Sequence, residues 1–162
     1  MTISVGDKLP DATLMRMGAE GPETVALSSL TKGRKIVLTG LPGAYTGTCS
    51  TAHIPSYIRT HDAIIAKGVD EIICVTVNDP FVVSAWSDAT GAGAGGVVIL
   101  GDPEATFIKA IGLNFSAPPV GLIDRSLRFS MVVDDGTVTL LNVEEDAGKC
   151  VLSAGEEILD AL

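Results

Sequence analysis

The sequence predicts an α/β protein, with a central mixed sheet flanked by helices and extended by an antiparallel hairpin. Three nearly continuous apolar runs, KIVLTGL (35–41), EIICVTV (71–77) and VVIL (97–100), read as central strands covered on both faces. Helix-start signals alternate with these runs, which is the order of a layered α/β fold. Two further runs, FSMVV (129–133) and TVTLLNV (137–143), flank Asp135-Gly136, a pair suited to a tight hairpin turn.

The first apolar run is followed by PGAYTGTC (42–49) and then by the helix-compatible stretch STAHIPSYIRTHDAIIAKG (50–68). After the second run Asp79 precedes Pro80, and after the third Asp102 precedes Pro103. Each pair offers an N-cap with proline at the first helical position. GAGAGG (91–96) satisfies G-x-G-x-x-G through Gly91, Gly93 and Gly96. It follows a helix and precedes a strand, the reverse of a dinucleotide site, so it reads as a flexible connecting loop. Ser153 and Glu156 have capping-box spacing before the apolar Ile158, Leu159 and Leu162, which predicts a last helix.

A chain of 162 residues with 46% hydrophobic content suits one globular domain spanning 1–162. The formal net charge of -9 argues against nucleic acid and anionic membrane as partners, because both repel an acidic surface. No apolar stretch approaches the length of a bilayer-spanning helix, and MTISVGDKLPD has neither part of a signal peptide. A cytoplasmic location is the expectation. Three cysteines, an odd number, fit a reducing compartment better than a disulfide framework.

Cys49 falls just beyond the end of a predicted central strand, in the first turn of the next helix. Ligands bind at the carboxyl ends of strands in open α/β sheets, and the free N–H groups of a helix start favour an anion. A thiol there is a candidate nucleophile, since a helix N-terminus or a cation can bring its pKa from about 8.5 toward neutrality. The alternative is a small buried hydrophobe. Thr46 offers a hydroxyl beside the sulfur, Pro42 can wall one side, and Gly43 permits a sharp exit from the strand.

Pro42, Thr46 and Cys49 together form P-x-x-x-T-x-x-C, and here the sequence resembles the peroxiredoxins, most closely the type II or peroxiredoxin-5-like subgroup. The resemblance runs through VGDKLPDATL, LPGAYTGTCSTAHIPSY, EIICVTVNDPFVVSAW and RFSMVVDDGTVTLLNVE. It departs at Gly47, where many members carry proline. What it implies is a thioredoxin-like fold and thiol-dependent reduction of hydrogen peroxide and organic hydroperoxides, with no cofactor and no metal. It makes Cys49 the peroxidatic cysteine, Thr46 the substrate-orienting hydroxyl and Arg128 the active-site arginine. Arg125 competes, but Arg128 begins a strand and is held more firmly. His53, one helical turn after Cys49, takes a supporting role through its match to the family's HxP segment. Two histidines without a third spaced ligand make a poor metal site.

The reaction implied is attack of the Cys49 thiolate on a peroxide oxygen, giving a sulfenic acid that a thiol must reduce. Cys150, in DAGKCVLS, resembles the resolving cysteine of the animal peroxiredoxin-5 enzymes and ranks first. Direct reduction by an external thiol ranks second. Cys74, in an apolar strand, ranks third although it aligns with a resolving position proposed in plant type II enzymes. Thioredoxin, or glutathione with glutaredoxin, is the expected reductant, and a homodimer involving the segment around Phe81 is the expected assembly. A thioredoxin-fold interaction or holdase module without turnover is the alternative. A disulfide oxidoreductase is disfavoured by the absence of C-x-x-C, since Thr46 and Ala52 stand three residues either side of Cys49.

Overall fold

The computed structural model describes residues 1–162 and shows the mixed sheet with helices on both faces. In chain order the elements are β1 (Thr13–Gly18), β2 (Gly21–Ala26), α1 (Leu27–Thr31), β3 (Lys35–Leu41), α2 (Ile54–Ala66), β4 (Glu71–Thr76), α3 (Pro80–Thr90) and β5 (Val97–Gly101). There follow α4 (Thr106–Ala110), β6 (Asn114–Ala117), β7 (Leu122–Ser126), β8 (Phe129–Asp134), β9 (Thr137–Val143) and α5 (Gly155–Ala161). Seven strands form one sheet in the order β2-β1-β5-β4-β3-β8-β9, and β6 pairs with β7 in a separate ribbon. The three central strands β3, β4 and β5 are parallel, while β8 and β9 add the antiparallel hairpin.

Strand alternation sorts the apolar runs into two cores. On one face Ile36, Leu38, Ile73, Val75, Phe129 and Met131 pack with Phe107 and Ile108 of α4. On the other, Val37, Leu41, Ile72, Cys74 and Val132 pack with Ile54, Tyr57 and Ile64 of α2, Trp86 of α3 and Ile158 of α5. Continuous apolar sequence is thus the signature of burial on both sides. The β8–β9 turn has positive φ at both Asp135 (45°) and Gly136 (78°), the geometry that matches the strand twist.

The expected cap at Asp79 forms: its Oδ1 accepts from Val82 N at 3.0 Å, with Pro80 opening α3. Residues 91–96 form the connecting turn into β5. Two local expectations are corrected. Asp102 does not begin a helix directly, because Pro103 and Glu104 form a turn and α4 starts at Thr106; the Asp102 carboxylate instead reaches Ile108 N at 3.0 Å. The Ser153–Glu156 capping box does not form. Ser153 bonds to Glu144, Glu156 pairs with Arg59 at 2.8 Å, and the Gly155 N–H is capped from α2 by Ser56 Oγ at 2.9 Å.

The β1–β2 hairpin and the β6–β7 ribbon were not anticipated. Their short runs mix polar and apolar residues because each is exposed on one side. Leu14 is the one fully buried residue of β1, so the strand carries no alternating pattern for a sequence to show.

Candidate active site

The site is built where the chain leaves β3. Gly43 sits where an added Cβ would run into the Arg125 guanidinium, whose Nη1 donates to Pro42 O at 3.1 Å. Arg125 therefore braces the loop. Tyr45 adopts a left-handed φ of 62°, a strained conformation for an aromatic residue and one that concentrates at functional loops. The loop is held by Asn78 from the end of β4, whose Oδ1 accepts from Ala44 N at 2.9 Å and Thr76 Oγ1 at 2.7 Å.

Helical turns start at Gly47, so Cys49 lies in the first turn as expected. Over Cys49–His53 the helix widens, and the Ile54 N–H reaches back five residues to Cys49 O. Pro55 supplies a cause: it has no N–H to offer the carbonyl four residues before it, so the ordinary ladder is broken there. Such wide turns cluster at functional sites.

Cys49 is fully buried, and Arg128, at the entrance to β8, reaches it with Nη2 3.2 Å from Sγ. The Arg128 side chain is itself 1% exposed and meets no carboxylate. Its Nε and Nη2 donate to Ala147 O at 3.2 and 3.0 Å, and its Nη1 lies 3.1 Å from His53 Nδ1. A buried charge without a counter-charge is costly. The Cys49 sulfur is the contact able to carry the compensating negative charge.

The hydrogen-bond chain fixes the His53 tautomer. Thr39 Oγ1 donates its one hydrogen to Phe129 O at 2.5 Å, so His53 Nε2–H must donate to Thr39 Oγ1 at 2.6 Å. Nδ1 is then the acceptor for Arg128. Burial, and next the Arg128 charge, hold the His53 pKa well below its ordinary 6.5, in agreement with a neutral ring. Thr39 lies inside an apolar strand, and its solitary hydroxyl in KIVLTGL was the only sequence trace of this support.

Next to Arg128 opens a cavity of about 350 Å³. Pro42, Thr46 and Arg128 form one side of it, and Phe115, Val120 and Leu122 of the β6–β7 region give the other side an apolar wall. Thr46 Oγ1 donates to Gly43 O at 2.7 Å. The structure thus brings Pro42, Thr46, Cys49, His53 and Arg128 into one site, and adds Thr39, Asn78 and Ala147, which the sequence did not single out.

The other thiols differ. Cys74 lies in β4, in register with Thr39, and is fully buried; burial, then the neighbouring Cys49, pushes its pKa far up. Cys150 is half-buried in the loop after β9, beside Ser153 Oγ at 3.8 Å, and burial likewise raises its pKa. All three cysteines are unpaired. No three His, Cys, Asp or Glu side chains are grouped to hold a metal ion.

A cysteine in the first turn of a helix, in direct contact with a buried arginine beside a mixed sheet, is the arrangement of a thiol-dependent redox protein. The family model described as Redoxin matches residues 4–159, and the chain belongs to that family. Within it the chain is a type II peroxiredoxin, a thiol-dependent peroxidase. It is 47% identical to the chloroplastic Peroxiredoxin-2E-2 of Oryza sativa subsp. japonica, over 99% of this chain and 73% of that protein. It is 42% identical to Peroxiredoxin-2C of the same organism, over 99% and 98%. Among solved structures, reduced Prx3 from Vibrio vulnificus in complex with H2O2 is 42% identical, with a TM-score of 0.92 and 99% of each chain covered. These peroxiredoxin relatives carry the thioredoxin fold that the sequence resemblance implied.

Proposed function

We propose that Cys49 is the peroxidatic cysteine and that Arg128, Thr46 and Pro42 form the peroxide-binding wall around it. The observation that carries this reading is the 3.2 Å contact between Cys49 Sγ and Nη2 of Arg128, the arginine that lines the cavity. The thiolate attacks one peroxide oxygen as the O–O bond breaks. Cys49 becomes a sulfenic acid, and the other oxygen takes a proton and leaves as water or alcohol. Arg128 donates to the oxygens and the Thr46 hydroxyl turns from Gly43 O toward them, so charge on the leaving oxygen meets donors already in place. Hydrogen peroxide fits beside organic hydroperoxides, whose carbon chains match the apolar wall of Phe115, Val120 and Leu122.

In this reading Cys150 resolves the sulfenic acid ahead of an external thiol, and Cys74 ranks last because burial keeps it protonated. Thioredoxin, or glutathione with glutaredoxin, regenerates the enzyme. Residues 1–162 act as one peroxiredoxin domain. Three unpaired thiols favour a reducing compartment, and we assign the cytoplasm. A homodimer covers exposed apolar side chains, among them Tyr45, Phe81, Ile123 and the cavity-lining Val120.

Mass spectrometry after one equivalent of peroxide tests the assignment. A sulfenic acid or disulfide at Cys49 is expected; oxidation confined to Cys74 or Cys150 would refute it.

A further inference from the structure

Glu144 is a buried carboxylate that the peroxide chemistry leaves unused. It follows β9, is 6% exposed, and has no cation within ion-pair distance. Its Oε1 instead accepts three hydrogen bonds, from Val151 N at 2.6 Å, Ser153 N at 2.8 Å and Ser153 Oγ at 2.9 Å. Its own N–H donates to Arg128 O at 2.9 Å. Bonds to an ionised acceptor are roughly twice as strong as neutral ones, so this carboxylate draws both ends of the loop together firmly.

The closed loop faces the active site with two carbonyls. Ala147 O receives both Nε and Nη2 of Arg128, and Gly148 O receives Thr48 Oγ1 at 2.8 Å, next to Cys49. Cys150 lies in the same loop, between these carbonyls and the residues Glu144 grips. Tyr57 OH adds a further tie from α2, to Ser153 O at 2.6 Å.

We propose that Glu144 is a positioning residue: it shapes residues 145–153 so that Ala147 O fixes the Arg128 guanidinium against Cys49, and the same bonds hold Cys150 back. The proposal rests on the assignment of Cys49 and Arg128 above. Its consequence is a trade between two chemical steps. Loosening the loop frees Arg128 to wander and slows attack on peroxide. It also exposes Cys150 and removes a negative charge beside its thiol, both of which favour the Cys150 thiolate. That thiolate attacks the Cys49 sulfenic sulfur, the S–S bond forms, the S–O bond breaks, and hydroxide leaves with the thiol's proton as water.

Glu144→Gln and Glu144→Ala test this with stopped-flow fluorescence and timed mass spectrometry. Trp86 is the single tryptophan and its Nε1–H donates to Ser50 Oγ at 2.9 Å, adjacent to Cys49, so it reports the first step. The second-order rate with hydrogen peroxide should fall on the order of tenfold in Glu144→Ala and less in Glu144→Gln, which keeps an acceptor oxygen. The Cys49–Cys150 disulfide should form faster in both, with hydrogen exchange at the Val151 and Ser153 amides accelerated. An unchanged first step in folded Glu144→Gln and Glu144→Ala overturns the proposal, as does a slowing of both steps. Should Glu144→Ala fail to fold, Glu144→Gln decides by the same signs. A wild-type protein whose Cys49 is never oxidised refutes the active-site assignment instead. Absence of any Cys150 disulfide in the wild type removes only the resolving role, and the first-step rate still decides for Glu144.

Discussion

The segments carrying Cys49 and Cys150 meet at Arg128 and are held in opposite ways. Cys49 is fully buried at a helix start whose far side packs on the sheet through Ile54 and Tyr57. Cys150 is half-buried in an irregular loop whose ties are a handful of hydrogen bonds from Glu144, Arg128, Thr48 and Tyr57. A nucleophile must be aligned before its substrate arrives, so the first thiol is placed by the core. A second thiol that has to travel is better placed on a segment of low local stability. Under the proposed roles, core burial suits the step at Cys49 that needs alignment, and the looser burial of Cys150 suits a thiol that must move to it.

Removing the rigid thiol should have the largest effect. Cys49→Ser keeps the size of the side chain but substitutes a hydroxyl too basic to act as nucleophile near neutrality. Peroxidase turnover should drop to background with the thermal unfolding profile retained; turnover near that of the wild type would show that the chemistry lies elsewhere.

Next in size is the arginine that both segments share. Arg128→Met retains much of the aliphatic stem and deletes the charge and its donors. The rate with peroxide should fall on the order of 100-fold. Arg125→Met should act far less, through the Pro42 carbonyl alone. A reversed order of the two arginines contradicts the geometry.

Removing the Cys150 thiol alone should affect only the second step. Cys150→Ser should consume one equivalent of peroxide and then accumulate Cys49 sulfenic acid, with thioredoxin-coupled turnover collapsing. Glutathione with glutaredoxin can still act on Cys49 directly. Full turnover with both reductant systems would make Cys150 incidental, and a Cys49–Cys74 disulfide would reverse the ranking of Cys150 over Cys74.

The smallest effect concerns the support beneath Cys49. A histidine whose folded pKa is lowered binds fewer protons folded than unfolded, so it costs stability as pH falls below about 6.5 and down to its folded value. The limiting slope is about 1.4 kcal/mol per pH unit. His53→Gln keeps an acceptor for Arg128 and a donor for Thr39 without titrating. Urea unfolding at pH 7.5 and 5.0 should show a smaller pH loss in the variant than in the wild type. Equal losses would mean that His53 is not the group being titrated.

The sequence by itself determined the central strands, because burial on both faces requires nearly continuous apolar runs, and the 135–136 turn, because its backbone demands residues tolerant of positive φ. It also placed Pro42, Thr46 and Cys49 along one strand-to-helix connection and suggested Arg128 from the strand that follows. Only the tertiary structure decided the helix caps at the end of the chain, where Glu144 and Ser56 outcompete the local Ser153–Glu156 pairing. It alone brought Thr39, Asn78, Ala147 and the β6–β7 wall to the site, from segments up to about a hundred residues away. Periodicity records which face of an element is buried. It carries no record of which distant carbonyl or hydroxyl meets a buried polar group, because that partner is chosen by how the layers pack.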